Sequence, residues 1–277
     1  MKLRAIRCYC CYLFLFAAAA GAWSGCTAGE EPPRNTPPGM VWIAAVGDQP
    51  GFFMDATEVT VAAFAAFVDS TGYVTEAEDF GWSGVFNADS LGWLPVDGAY
   101  WRYPQGPDSA AARPDHPVTQ LSLRDVRAYA DFAGKRIPTA AEWTFAATQS
   151  GQPQDYPWGT EMLPPGPFPG NWWQGPFPYQ DAVADGFPGV APVRSFPPAP
   201  NGLYDVAGNV WEWTSTVNPT DGQYLIKGGS FLCSTSYCTG FNLRTNQWTP
   251  ADSGLNHLGM RLVREGKNKE KGIRKKK

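Results

Sequence analysis

Apolar residues recur with a helical period in only a few segments of the chain, and the clearest begins at a capping residue. Ser122 can cap a helix with Asp125 at its third position, and the apolar side chains of Val126 and Tyr129 follow on one face. Gly134 supplies the residue that ends such a helix. The pattern therefore predicts a helix that runs from the serine to the glycine.

Two further segments carry the same kind of signal. Thr139 and Glu142 form a capping-box pair immediately before Trp143, which starts a buried stripe. A third helix is expected to begin near Thr60 and to bury Phe64. Because capping or packing explains these residues, we interpret all three helices as scaffold.

Composition predicts little regular structure beyond these helices. The 277 residues include 30 glycines, 26 prolines and 12 tryptophans. Glycine and proline favour turns over long helices and wide sheets, so aromatic side chains held by loops must supply much of the buried area. We expect an irregular, loop-rich α+β domain.

The charge balance argues against nucleic acid as a partner. Lysine and arginine number 22 against 26 acidic residues, which gives a net charge of −4 at pH 7. The one basic run, over residues 266–277, has no apolar periodicity and is expected to be a disordered tail.

The N-terminal residues resemble an export signal. Basic residues precede an apolar run over 13–20 that is short for a membrane-spanning helix. The WSGC sequence that ends at Cys26 resembles a bacterial lipobox, which predicts acylation of Cys26 and membrane anchoring; alternatively, Cys26 lies beside an ordinary cleavage site. The mature protein would be exported, either periplasmic or anchored. The expected organisation is a signal peptide over 1–26, a flexible tether over 27–39, one domain over 40–265 and the basic tail.

Beyond Cys26 the chain contains only two cysteines, Cys233 and Cys238. Such a pair can form a disulfide, bind a soft metal or act as a redox couple, and the spacing does not choose among these. Ser230 and Tyr237 place hydroxyl groups beside the sulfurs. The cysteine segment is therefore the strongest candidate for chemistry.

Acidic residues in a second segment are candidates for binding a cation. Asp205 and Glu212 lie seven residues apart around Gly208, and hard oxygen donors at this density suit calcium. The alternative is that the two carboxylates cap loop amides. The only histidines are His116 and His257, which leaves no three-histidine metal site and argues against a Ser-His-Asp hydrolase.

Several separate blocks of the sequence resemble one known family. They are 40–43 (MVWI), 57–60 (TEVT), 80–83 (FGWS), 98–101 (GAYW), 106–109 (GPDS), 134–143 (GKRIPTAAEW), 156–159 (YPWG), 185–187 (DGF), 202–213 (GLYDVAGNVWEW), 227–238 (KGGSFLCSTSYC) and 258–261 (LGMR). Together they resemble the formylglycine-generating enzymes, the oxidases that activate sulfatases. The resemblance implies that family's fold, an irregular α+β variant of the C-type lectin fold with little regular secondary structure.

The resemblance also implies an activity, which is oxidation of a cysteine in a sulfatase peptide to Cα-formylglycine by O2. Cys233 and Cys238 would hold Cu(I), a soft ion that suits two thiolates. Ser230 would line the pocket for oxygen and metal, and Tyr237 would orient the incoming thiol. Trp101 and Asp108 would line the peptide groove; alternatively, Trp101 is a core residue and Asp108 forms a turn.

Two structural calcium sites follow from the same resemblance. The first would use the side chains of Asp205 and Glu212 with the carbonyls of Gly208 and Val210. The second would use the side chains of Asn171 and Asp185 with the carbonyls of Trp172 and Phe187.

The chain departs from the family pattern around the cysteine pair. Ser234 stands where histidine is common, and residues 239–246 replace a run rich in arginine, tyrosine and alanine. His257 replaces the asparagine that precedes the block at 258–261. These changes predict altered peptide recognition. The alternative function is a non-catalytic, membrane-anchored binding module in which Cys233 and Cys238 form a structural disulfide, as an oxidising compartment would favour. An iron-dependent enzyme that forms C–S bonds is disfavoured because the histidine ligands are missing.

Overall fold

The computed structural model describes residue 33 and residues 35–266. The predicted signal peptide, Cys26 and the basic tail beyond residue 266 lie outside the described residues. No helix within the described part of the chain is long and apolar enough to cross a membrane.

Four helices are present within the described residues, all of them before residue 148. They are α1 (Val61–Thr71), α2 (Glu76–Phe80), α3 (Leu123–Phe132) and α4 (Ala140–Ala147). The three predicted helices are confirmed, because Thr60, Ser122 and Thr139 each accept a hydrogen bond from the backbone three residues on. Sequence reasoning missed α2, which is capped by Thr75 and Glu78 but is too short to show apolar periodicity.

In the described part of the chain, nine short strands form three small sheets. The strands are β1 (Met40–Ile43), β2 (Phe52–Asp55), β3 (Trp82–Asn87), β4 (Gly92–Asp97), β5 (Trp211–Val217), β6 (Tyr224–Lys227), β7 (Gln247–Thr249), β8 (Leu258–Gly259) and β9 (Val263–Glu265). The sheets have the orders β1-β2-β9, β3-β4 and β7-β6-β5-β8, and β5 pairs in parallel with β8. This arrangement of short strands and long loops is the irregular α+β fold predicted from composition.

Tryptophan side chains occupy the centre of the core. Trp101, Trp143, Trp211 and Trp213 are among the largest fully buried side chains. The indole of Trp213 donates to the carbonyl of Leu121 at 3.0 Å, so its polar edge is satisfied. As expected, aromatic residues supply much of the buried area in this loop-rich fold.

The junction between α3 and α4 is fixed by ion pairs. Arg136 donates to both carboxylate oxygens of Glu142, at 2.6 and 2.8 Å, and to Glu265 at 2.7 Å. Lys135 donates to Asp55 at 2.6 Å. These contacts tie the α3–α4 junction to β2, through Asp55, and to β9, through Glu265.

Candidate active site

The two cysteines lie on a tight loop that follows β6. The loop begins at Gly228 and Gly229, both with positive φ, and a Cβ at Gly229 would clash with the backbone of Phe241. The Cα atoms of Cys233 and Cys238 are 4.6 Å apart, and their sulfurs are joined as a disulfide. The loop therefore brings the two sulfurs into contact.

The sulfurs lie at the wall of a cavity of about 760 Å³, here called the cysteine cavity. Cys233 is buried and Cys238 is partly exposed. The other lining residues include Phe86, Trp93, Phe177, Trp211, Ser230, Tyr237, Trp248 and His257. The cavity combines aromatic walls with a small polar group at the cysteines, which is typical of a small-molecule or peptide site.

Ser230 and His257 form the polar group. Ser230 Oγ lies 3.2 Å from His257 Nδ1 and accepts the N–H of Leu232 at 3.3 Å. Burial lowers the pKa of His257 to about 3, so its imidazole is neutral at physiological pH. The sequence marked His257 as a departure without assigning it a role, and the structure now places it in the cavity beside Ser230.

Tyr237 lies at the open rim of the cavity. Its side chain is 67% exposed, and its ring stacks on Phe177 with centroids 4.6 Å apart. The backbone N–H of Tyr237 donates to Ser234 Oγ at 3.1 Å, which holds the turn between the cysteines. Tyr237 is therefore placed to contact a molecule that enters the cavity.

The predicted groove residues are not brought together with the cysteines. Trp101 is 1% exposed and packs edge-on against Phe64 in the core, with centroids 5.3 Å apart. A side chain enclosed in this way cannot line a peptide groove, so the substrate-binding role predicted for Trp101 is wrong. Asp108 is exposed in a turn and does not line the cysteine cavity.

The first predicted calcium loop contains unpaired buried oxygens. Asp205 Oδ1 and Glu58 Oε2 are buried without a hydrogen-bond partner among the described residues. Burial raises the pKa of Asp205 to about 6, and burial with the nearby Asp205 charge raises the pKa of Glu58. Buried carboxylates with free oxygens fit a calcium ion. Glu58 was missed, although it lies in a block that carries the family resemblance.

Glu212 has a different environment from the one predicted. Its two oxygens accept three hydrogen bonds from Arg261, at 2.8 to 3.0 Å, and one from Trp143 at 2.5 Å. Within the described residues, no three His, Cys, Asp or Glu side chains are close enough to hold a metal by themselves. Calcium in this loop would therefore rely on Asp205, Glu58 and backbone carbonyls such as those of Gly208 and Val210.

The second predicted calcium loop also has converging oxygens. The carbonyl of Trp172 and Asp185 Oδ2 both accept from the amide nitrogen of Gln174, the latter at 2.7 Å. Because both oxygens accept from the same nitrogen atom, they lie close enough together to bind one ion. Burial raises the pKa of Asp185, as for an acid that lacks a cationic partner. The amide nitrogen of Asn171 donates to the carbonyl of Gly189 at 2.8 Å, which fixes this side chain in the same loop.

Solved structures define the class of protein by its fold. The structure of PvdO from Pseudomonas aeruginosa matches with a TM-score of 0.59 at 20% identity, over 80% of this chain and 84% of that one. The structure of CarF matches with a TM-score of 0.51 at 21% identity, over 80% and 89% of the two chains. At these identities the likeness shows the fold alone, and it confirms the predicted fold.

Sequence comparison assigns the family. Residues 30–266 match the model of the sulfatase-modifying factor enzyme 1-like domain, and the chain belongs to that family. The formylglycine-generating enzyme of Bos taurus is 43% identical over 76% of this chain. That of Thermomonospora curvata is 40% identical over 85% of this chain and 88% of its own length.

The comparisons leave the activity of the chain to be argued from its site. The chain spans 65% of the length of the Bos taurus enzyme. A Bos taurus relative named inactive Cα-formylglycine-generating enzyme 2 is 39% identical over 76% of both chains. Membership is therefore compatible with an active and with an inactive protein.

Proposed function

We propose that the protein converts a cysteine of a sulfatase-type peptide into Cα-formylglycine. The observation that carries this proposal is the pairing of Cys233 and Cys238 at the wall of a cavity that also presents Ser230 and Tyr237. Relatives named for this activity, at 40 to 43% identity, support the same reaction.

The reaction requires an oxidant and a metal. The substrate loses two electrons, its sulfur leaves as sulfide, and water supplies the aldehyde oxygen. If O2 is reduced to water, a thiol reductant must provide the other two electrons. Copper(I), held by the reduced sulfurs of Cys233 and Cys238, would supply the one-electron chemistry that lets O2 react with a thiol. Two adjacent sulfurs fit this soft ion, and the disulfide must be reduced before they can bind it.

The side chains around the pair define the other roles. Cys238 is the more exposed of the two and faces an incoming thiol more openly than the buried Cys233. Ser230, held by His257 and by the N–H of Leu232, presents a fixed hydroxyl that can accept or donate a hydrogen bond. The ring of Tyr237 on Phe177 would guide the peptide at the rim, and the aromatic walls would exclude water.

The cation sites would serve the fold. Calcium held by Asp205, Glu58 and loop carbonyls would neutralise buried carboxylates, and calcium held by Trp172 and Asp185 would fix the loop that carries Phe177. Both ions would replace regular secondary structure that these loops lack. No step of the reaction depends on them.

The test is aldehyde formation on a panel of cysteine peptides. Purified protein would be reduced, loaded with Cu(I) and supplied with O2 and a thiol reductant. We expect a mass loss at the peptide cysteine and trapping of the product by a hydrazide. Cys233→Ser and Cys238→Ser should each abolish both Cu(I) binding and aldehyde formation, whereas the exposed Ser236→Ala should change neither.

If no peptide of the panel gains an aldehyde although the protein is shown to hold copper, the proposed oxidase activity is contradicted. The second candidate, a binding module, would then take its place. Two observations favour that candidate: the sulfurs are joined as a disulfide, and relatives from Bos taurus and Mus musculus are named inactive. It predicts that peptide binding survives oxidation of the pair, whereas the oxidase requires the reduced pair.

A further inference from the structure

A second cavity, of about 540 Å³, lies beside the cysteine cavity between α2 and the β3-β4 hairpin. Its walls include four large apolar side chains that are between 39% and 50% exposed: Phe80, Trp82, Trp93 and Leu94. The rings of Phe80 and Trp82 stack with centroids 6.2 Å apart. Contiguous exposed apolar side chains of this size mark binding sites, because water is a poor environment for them.

Glycines let two backbone segments pack closely at the floor of this cavity. A Cβ at Gly84 would lie 2.7 Å from Leu255 Cδ2, and a Cβ at Gly254 would lie 2.5 Å from Ser83 Oγ. The N–H of Gly84 donates to the carbonyl of Gly254 at 2.9 Å, which joins the two backbones at the floor. The floor of the cavity is therefore a pair of closely packed backbone segments.

The two cavities adjoin each other. Trp93, Ser253 and Leu255 line both of them, and the ring of Trp93 lies 4.5 Å from that of His257 in the cysteine cavity. A peptide in extended conformation advances by about 3.3 Å per residue. A substrate whose cysteine is in the first cavity would therefore place a side chain in the second only a few residues away.

We infer that the second cavity is a subsite for an aromatic or large aliphatic side chain of the substrate peptide. The inference rests on the proposed function and adds a preference at a position near the cysteine. Trp82 is its central determinant, because this ring is exposed and stacked on Phe80 within the cavity wall.

Two acidic residues at the rim of the second cavity would favour a different occupant, a basic side chain. Glu76 and Asp252 also line the second cavity and would attract a basic side chain. Asp252 is exposed and Glu76 is half-buried, and carboxylates that keep their water gain little from an ion pair. The apolar walls therefore determine which substrate side chain binds in the second cavity. The two carboxylates only disfavour an acidic side chain there.

Binding can be measured without turnover. A cysteine-centred peptide series would carry serine in place of the reactive cysteine, with phenylalanine, leucine, arginine, glutamate or alanine at each of several positions on either side. Calorimetry on the whole protein should find one position where phenylalanine binds about 10-fold tighter than alanine or more, in the range one apolar group contributes in a pocket. Tighter binding of arginine than phenylalanine at that position, or no preferred position, would overturn the subsite.

Variants separate the subsite from a general effect on folding. Trp82→Ala should reduce the affinity for the phenylalanine peptide to that for the alanine peptide, whereas Trp82→Leu should keep part of the difference. Leu163→Ala, which truncates an apolar side chain of similar exposure that lies outside both cavities, should have no effect. Retention of the full preference in Trp82→Ala would also overturn the inference.

Turnover of cysteine-containing versions distinguishes this inference from the proposed function. Preferential binding without aldehyde would contradict the oxidase and uphold the subsite. Aldehyde on every peptide at equal kcat/KM, together with equal affinities, would uphold the oxidase and contradict the subsite.

Discussion

Two buried carboxylates, those of Asp205 and Glu58, carry oxygens that nothing among the described residues satisfies. Asp205 adopts a positive φ of 56°, an uncommon conformation for a residue with a side chain. Its other oxygen accepts the N–H of Arg194 at 2.7 Å, so the side chain is fixed in place. A carboxylate held with one free oxygen in a buried site is arranged for a cation, and it is destabilising without one.

Without calcium, Asp205→Asn should therefore raise the melting temperature at pH 7. The pKa of Asp205 is about 6 in the folded state, above its usual 3.8. Between pH 3.8 and 6 the folded protein therefore keeps a proton on Asp205 that the unfolded chain has released. The contribution of protonated Asp205 to the stability of the folded state is fully present below pH 3.8 and is lost as the pH rises through 6. The variant should weaken this pH dependence, as followed by thermal melts from pH 4 to 8.

With calcium, the same substitution should lower the melting temperature relative to the parent protein. The ion stabilises only the folded state, and it loses a charged ligand in the variant. Glu58→Gln should behave in the same way, while Asp108→Asn, on an exposed turn, serves as the control. Equal calcium-induced shifts in all four proteins would show that this loop does not bind the ion.

At the level of elements, an N-cap residue followed by apolar residues at helical spacing explains which helices were readable from the sequence. In α4, Thr139 accepts from the N–H of Glu142 at 3.1 Å, and Glu142 accepts in return from the N–H of Thr139 at 2.9 Å. The two residues are only three positions apart, so the sequence is sufficient to predict these contacts. The parallel pairing of β5 with β8 depends on residues about 47 positions apart, such as Trp211 and Leu258, and no local pattern predicts it.

Thr139→Ala should lower the free energy of unfolding by about 1 kcal/mol, the usual cost of a lost N-cap. Thr139→Ser retains the hydroxyl and should cost much less. Urea denaturation would measure both. A loss of equal size in the two variants would indicate that the methyl group, rather than the cap, stabilises this helix.

The site shows the same division between local and long-range information. Cys233, Cys238, Ser230 and Tyr237 lie on one loop, so their sequence positions already predicted their proximity. His257 joins them only through the path of β8, which begins at the next residue. Trp101 was assigned to a groove because its block carries the resemblance, yet burial depends on the packing of α1, which the block does not encode.

On the scale of the whole molecule, one buried ion pair connects segments that are far apart in the chain. Arg261 donates to Glu212 on β5, to the carbonyl of Asp55 at 3.0 Å and to the carbonyl of Tyr204 at 2.7 Å. Its side chain is fully buried and so is that of Glu212. The guanidinium therefore satisfies a charge and two carbonyls at the meeting point of a sheet and a loop that leads to the candidate calcium site.

Arg261→Met should lower the free energy of unfolding by about 3–5 kcal/mol, because it leaves the Glu212 carboxylate buried without its partner. The double variant Arg261→Met, Glu212→Gln removes the stranded charge and should recover part of the loss. Arg244→Met, which breaks an exposed pair with Asp155, provides the matched control and should change stability by about 1 kcal/mol or less. Urea denaturation of the four proteins measures all three differences. If Arg261→Met were no more destabilising than Arg244→Met, the buried pair would not stabilise the junction that we assign to it.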